Sequence, residues 1–298
     1  MKTASAIPRR EALRRISGGA LLALGLWPGA LSLKAKAGEP GAFKFIVVND
    51  THYLSPDCGQ WLEVVIARMK SEGAEFCLHC GDLTEKGTHS DLAATRDLFK
   101  TLGLPTYVQI GNHDYLTQTD REAYEEMFPS RLNYGFEHRG WQFVGLDSTE
   151  GLRYEKTSIQ PATRRWVEEN AGKLDAAKPT VLFTHFPMGE GVKYRPNGTD
   201  DMLERFKPVN LRGVFCGHYH AFTLRQRGEA FAVTNRCCAL KRNNHDGSSG
   251  KGYFVAEARD GAVTYRFVEV DIPDKLKVVA GETKKPATNA PAAPPKAQ

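Results

Sequence analysis

The sequence predicts an α/β fold in which two mixed β-sheets pack as a sandwich with helices on the outer faces, giving four layers, α-β-β-α. Three observations predict it. From residue 43 onward, short apolar runs alternate with amphipathic stretches, the signature of βαβ units. After His220 the pattern changes to period-2 alternation broken by turn residues, which marks hairpins. The chain has 298 residues and 41% hydrophobic side chains, enough to bury one large core.

The elements follow in order. "FKFIVV" (43–48) reads as a strand. "GQWLEVVIARMK" (59–70) places Trp61, Leu62, Val65, Ile66 and Met69 on one helical stripe. "EFCLHC" (75–80) is a second strand, "DLAATRDLFKTL" (91–102) a helix and "PTYVQI" (105–110) a third strand. "WQFVGLD" (141–147) is a strand that leads to an amphipathic helix over 161–174, and "PTVLFT" (179–184) and "LRGVFC" (211–216) are two more buried strands. "FTLRQRG", "EAFAVTN", "GYFVAEARDG" and "AVTYRFVEVD" then form hairpins.

These elements define one domain, 38–279. The tail from 280 to 298, rich in Pro, Ala and Lys, has almost nothing large and apolar to bury and is expected to be disordered. Residues 1–37 read as an export signal. A basic segment with Arg9, Arg10, Arg14 and Arg15 precedes the modest apolar stretch "ISGGALLALGLWPGALSL" and then Ala35-Lys36-Ala37, an A-x-A cleavage pattern. The Arg9-Arg10 pair resembles a twin-arginine signal, which carries folded proteins to the bacterial periplasm. An uncleaved anchor or an ordinary helix are the alternatives.

The formal charge of +5 misleads, because residues 1–37 hold seven Lys/Arg against one acid, Glu11. The remaining chain is close to neutral, so composition gives no argument for nucleic-acid binding. No run of about 18 charge-free apolar residues follows the N-terminus. Any membrane association is therefore expected through the export signal alone. Six cysteines are present. Cys77 and Cys80 look like a metal knuckle, but residues three apart on a strand face opposite sides, and no second C-x-x-C completes a site. Small buried side chains are the better reading.

Five apolar strands end in polar groups. They are followed by Asp50-Thr51-His52, Gly81-Asp82, Gly111-Asn112-His113-Asp114, His185 and Gly217-His218-Tyr219-His220. In α/β sheets the C-terminal strand edge is where ligands bind. One histidine at a strand end is unremarkable, whereas five coincident ends are not. Asp50, Asp82 and Asn112 supply oxygen, and His52, His185, His218 and His220 supply nitrogen. Seven donors exceed what one catalytic ion accepts with a position left open. They suit two divalent ions if one carboxylate bridges. Mixed N/O ligation without thiolate fits Mn, Zn or Fe rather than Ca. Two such ions about 3.5–4 Å apart clamp the attacking and leaving oxygens of a phosphoryl transfer.

The five blocks, in this order, resemble the calcineurin-like metallophosphoesterases, whose signature is D-x-H, G-D, G-N-H-D/E, a lone His and G-H-x-H. The resemblance spans roughly Phe43–Val270. It implies that Asp50, His52 and His220 hold a first ion, that Asn112, His185 and His218 hold a second, and that Asp82 bridges them. It implies the same two-sheet fold. Gly111 is expected to let the chain turn sharply, so that Asn112 becomes a ligand and His113 faces the substrate. His113 is then expected to stabilise a phosphoryl oxygen or protonate the leaving group, with Asp114 orienting its ring. A purely structural His113–Asp114 pair is the alternative.

The departures narrow the group. Gly81-Asp82-Leu83-Thr84-Glu85-Lys86-Gly87 lacks the G-D-x-V-D-R-G of the protein phosphatases, and position 85 is not the Tyr ligand of purple acid phosphatases. The wording is closest to the small single-domain group of cyclic-nucleotide and glycerophosphodiester phosphodiesterases. The expected activity is hydrolysis of a small phosphodiester by a hydroxide bridging the two ions. A phosphomonoesterase, or a catalytically silent metal-binding scaffold, is the alternative. Tyr53, Tyr194, Arg195, Lys241, Arg242, Asn243 and His245 are the loop residues placed to meet substrate, with solvated loop positions as the bland alternative for each. His79, His89 and His138 fit no block and are expected to be structural.

Overall fold

The computed structural model describes residues 41–280. The export-signal reading of 1–37 lies outside the described residues, as does the tail reading beyond Ala280. Eleven strands and six α-helices follow one another among the described residues. In chain order they are β1 (Phe43–Val48), α1 (Pro56–Lys70), β2 (Phe76–His79), α2 (His89–Lys100), β3 (Thr106–Val108), α3 (Glu122–Met127), β4 (Tyr134–His138) and β5 (Trp141–Leu146). Then come α4 (Pro161–Asn170), β6 (Thr180–Thr184), α5 (Thr199–Glu204), β7 (Leu211–Cys216), β8 (Thr223–Arg227), β9 (Ala230–Thr234), β10 (Gly252–Arg259), β11 (Ala262–Glu269) and α6 (Asp274–Ala280).

The strands form two mixed sheets, ordered β11-β10-β1-β2-β3 and β4-β5-β6-β7-β9-β8. The β1-β2-β3 and β5-β6-β7-β9 runs are parallel, and the hairpin strands pair antiparallel around them. The period of two along β1 sorts its side chains between two cores. Phe45 and Val47 join Phe76, Phe143, Phe183 and Phe215 between the sheets. Ile46 and Val48 face the other way, onto Trp61, Leu62 and Val65 of α1 and Leu276 of α6. Val144, Leu182 and Val214 of the second sheet pack outward against Val167 of α4 and Met202 and Leu203 of α5. The helix-sheet-sheet-helix layering follows from these three clusters.

Cys77 and Cys80 fall on opposite faces of the first sheet, Cys77 under α1 and Cys80 in the inter-sheet core. All six cysteines are free and buried. The boundaries differ from the sequence reading in places. The first helix starts earlier, at Pro56, whose fixed φ suits a first turn. The third strand is only three residues long, and the helix expected over 161–174 gives way at Ala171 to a 3-10 turn. The short elements α3, β4 and α5 were not foreseen, and neither was α6, which reaches the position where the tail was expected to begin. No helix among the described residues is long and apolar enough to cross a membrane.

Candidate metal centre

The parallel strands of both sheets end at one edge, and their following residues are zipped together there. Past β1, the Asp50, His52 and Tyr53 amides donate to Gly81, Asp82 and Leu83 carbonyls at 3.0, 3.1 and 3.0 Å. Asp50, His52, Asp82, His218 and His220 all have left-handed φ, between 44° and 66°. Non-glycine residues adopt this region only when the surroundings hold them there. Part of that hold is Asp50 itself, whose carboxylate accepts from the His218 amide at 2.9 Å.

The structure brings all seven expected ligands together. His220 Nε2 stands 3.1 Å from Asp50 Oδ1 and 3.2 Å from His52 Nε2, and His52 Nε2 stands 3.4 Å from Asp82 Oδ2. On the other side His185 Nε2 is 3.3 Å from Asp82 Oδ1, 3.2 Å from Asn112 Oδ1 and 3.2 Å from His218 Nδ1. Asp82 therefore turns one oxygen to each group. Asp50, His52, Asp82 and His220 form one compact set, and Asp82, His185 and His218 another.

The outward nitrogens of three imidazoles in these sets meet a backbone carbonyl, and the fourth stands beside a carboxylate. His185 Nδ1 faces the Cys80 carbonyl at 2.9 Å, His218 Nε2 the Tyr154 carbonyl at 2.8 Å, and His220 Nδ1 the Asn243 carbonyl at 3.4 Å. His52 Nδ1 stands 3.0 Å from the Glu85 carboxylate. A nitrogen facing a carbonyl carries the hydrogen, so the inner nitrogens of His185, His218 and His220 are the ones left to take either a second proton or a cation. Such a cluster of acceptors holds together around a cation.

The electrostatics agree. Burial holds His52 down, to about 4, and His218 down, to about 3. His185 and His220 are buried too, but the Asp82 and Asp50 carboxylates push His185 up to about 9, and Asp50 raises His220 well above its usual range. Burial alone would raise the Asp82 carboxyl, yet its histidine neighbours, His185 first, hold it well below the usual range. Each half of the cluster favours one positive charge between its donors. The donor set fits divalent metal ions: hard oxygens and neutral imidazoles, with tautomers fixed from behind.

Two expectations are corrected. Gly111 is extended rather than sharply turned, with φ −106° and ψ 173°. Its missing side chain matters for another reason: a Cβ there would lie 2.1 Å from Asp82 Oδ1 and 2.2 Å from the Asp82 amide nitrogen. Asp114 does not orient the His113 ring. Its buried carboxylate accepts from the Leu83, Thr84 and Gly111 amides and from Thr84 Oγ1, at 2.9 to 3.1 Å. It braces the two loops that carry Asp82 and Asn112. The ring of His113 is set by Glu85 instead, whose carbonyl lies 3.0 Å from Nδ1, and His113 Nε2 is 3.3 Å from Arg242 Nη2.

A cavity of about 330 Å³ opens over the cluster. Of the substrate candidates, Tyr194, Arg242 and His245 line it, together with Leu152 and Tyr154. Tyr53 packs with the α1 cluster, Arg195 is held by Asp200 at 2.6 and 2.8 Å, and Lys241 is 3.8 Å from Asp57. Asn243 contributes its carbonyl to His220. Sequence reasoning missed Tyr154, Leu152 and the supporting role of Glu85. His79 is structural as expected, with Nε2 3.1 Å from Thr51 Oγ1, while His89 and His138 pair with Glu126 and Glu75.

The family model for calcineurin-like phosphoesterases matches residues 43–222. The chain is a calcineurin-like phosphoesterase. It is 26% identical over 170 residues to a probable cyclic nucleotide phosphodiesterase of Synechococcus, covering 55% of this chain and 65% of that protein. It is 26% identical over 158 residues to a probable glycerophosphodiester phosphodiesterase GpdQ of Arcobacter nitrofigilis, covering 49% of this chain and 56% of that one. The matches thus span less than two thirds of these relatives' own length. Among solved structures, a dimetal phosphatase from Danio rerio superposes with a TM-score of 0.59 at 11% identity, covering 76% of this phosphoesterase and 96% of that chain. A purple acid phosphatase from yellow lupin superposes with a TM-score of 0.57 at 14% identity, covering 85% and 58%. These two likenesses concern the fold.

Proposed function

We propose that this calcineurin-like phosphoesterase binds two divalent ions, Mn, Zn or Fe, and hydrolyses small phosphodiesters. The observation that carries the reading is Asp82, which turns Oδ1 to His185 and Oδ2 to His52, with backbone carbonyls behind His185, His218 and His220. Asp50, His52 and His220 would hold one ion, Asn112, His185 and His218 the other, and Asp82 both. When bound, the ions supply Lewis-acid activation of the phosphoryl group and of a water nucleophile.

The rest falls to this chain's own side chains. His113 lines the cavity with Nδ1 facing the Glu85 carbonyl and Nε2 3.3 Å from Arg242 Nη2, so to protonate the leaving oxygen Nε2 would give up the Arg242 contact. Its backbone amide donates to Asp82 Oδ1 at 2.9 Å and steadies the bridge. Tyr154 and Tyr194, with ring centroids 6.4 Å apart, and Leu152 form the wall that meets the organic part of the ester. A diester is favoured over a monoester by the two relatives above, each named as a probable phosphodiesterase.

The test is metal content after dialysis, paired with hydrolysis of a chromogenic diester across Mn, Zn and Fe(II) reconstitutions. Two bound equivalents with metal-dependent turnover are expected. A fully loaded protein that turns over no phosphoester overturns the enzymatic reading. Export to the periplasm through residues 1–37 belongs to the same proposal. It is tested by replacing Arg9 and Arg10 with Lys in a reporter fusion, and continued export by the twin-arginine route would refute it.

A further inference from the structure

Arg242 enters the cavity from the loop between β9 and β10, and it is the one Lys or Arg among the described residues that line it. Its guanidinium does not stand alone. Nε donates to Glu85 Oε2 at 3.0 Å and Nη2 donates to Glu85 Oε1, the bidentate geometry of a strong ion pair. The two side chains are part-buried, 36% and 21% exposed. The same Nη2 lies 3.3 Å from His113 Nε2, which places the pair beside the point where a leaving group would sit. The cavity therefore offers N–H donors to a phosphoryl oxygen, but its cation already has a carboxylate partner.

That matters because the two ester classes differ in charge. A phosphodiester carries one negative charge, whereas a phosphomonoester near pH 7 carries close to two, its second pKa being about 6. An unmatched guanidinium attracts the second charge. A matched one donates hydrogen bonds without offering net charge to it. We infer that the Glu85–Arg242 pair sets the choice between ester classes, holding this site to singly charged diesters. The inference rests on the phosphohydrolase reading above and names the residues that decide its substrate.

The pair is tested by cutting it from each side. Glu85→Gln keeps an acceptor near His52 and frees the Arg242 charge. It should raise the monoester-to-diester ratio of kcat/KM, measured with p-nitrophenyl phosphate and bis(p-nitrophenyl) phosphate, by about fivefold, the scale of one partly exposed ion pair. Arg242→Gln leaves Glu85 unmatched and should lower the ratio by a similar factor. The double variant should return it towards wild type. Calorimetry on the metal-loaded proteins, with inorganic phosphate against dimethyl phosphate, should show the same opposed shifts in affinity. Ratios are compared at equal metal content, and Arg242→Gln, which leaves His52 untouched, decides the matter if Glu85→Gln loads poorly. Single variants that move the ratio in the same direction, or leave it unchanged, overturn the inference. If wild-type protein hydrolyses neither ester, the phosphohydrolase reading fails, and the calorimetric ratio still decides the role of the pair.

Discussion

Asp82→Asn is the sharpest perturbation of the proposed centre, because both donor groups share this one side chain. Its oxygens lie 3.4 Å from His52 Nε2 and 3.3 Å from His185 Nε2. The amide keeps the shape and one oxygen, but loses the charge and cannot offer an anionic donor to both sides. A bound ion stabilises the fold by about 2.7 kcal/mol at a hundredfold excess over its Kd, so two independent ions contribute about 5 kcal/mol. For a domain of about 240 residues each kcal/mol moves Tm by about 2–4 °C. Wild-type protein should therefore gain about 10–20 °C on saturation with Mn or Zn. The variant should gain less than about half of that. Groups that merely back a metal ligand cost about 10–100-fold in affinity or activity, so loss of the shared ligand itself should reach the upper end of that range or beyond. The assay is thermal unfolding with and without metal, with metal content measured after dialysis. Comparing the metal-free proteins first separates any effect on the fold. An Asn variant that keeps two ions and the full thermal gain would refute the bridging role.

Four further outcomes are expected. His113→Ala should keep its metal and slow turnover by about 10²–10⁴-fold, most for esters with poor leaving groups, as read from kcat across a leaving-group series. Gly111→Ala places a methyl 2.1 Å from Asp82 Oδ1, so it should lose metal although it adds a single apolar carbon and removes no polar group, a loss visible in metal content after dialysis. Metal affinity should rise with pH. His185 sits at about 9, so below that value an ion must displace its proton, and apparent affinity should gain about tenfold per pH unit per displaced proton when measured by chelator competition between pH 6 and 8. Denaturing the protein without reductant should expose six titratable thiols, since all six cysteines are free; a count of four would mean that one pair had oxidised.

Much of this molecule was legible because strand chemistry is local. The run Phe43–Val48 alternates between two cores, and the same alternation separated Cys77 from Cys80 before any coordinates. The clustered donors were legible because each follows an apolar strand in the chain. What could not be read were contacts made across the chain. Glu85 meets Arg242, 157 positions away, and nothing local to either predicts the other. The carbonyls of Cys80, Tyr154 and Asn243 fix three tautomers, yet a carbonyl belongs to every residue and leaves no mark in the sequence. Asp114 misled for a related reason. Adjacency in sequence suggested a ring partner, while the orphaned amides of Leu83, Thr84 and Gly111 competed for its carboxylate and took it.

The backbone at the centre shows why local propensity fails there. Five donors in left-handed conformations each cost about 1–2 kcal/mol relative to ordinary backbone. Together that approaches the net stability of a typical domain, so the conformations persist only because other contacts impose them. Some of those contacts are visible: the amides of Asp50 and His52 bond to the residues after β2, and the amide of His218 bonds to Asp50. Each of these ties joins two segments that carry clustered donors rather than a segment and the core. The segments therefore hold one another in strained geometry, and loosening one releases its neighbours. A substitution at Asp50 should accordingly disturb His218, which belongs to the other half of the cluster, as well as its own partners His52 and His220.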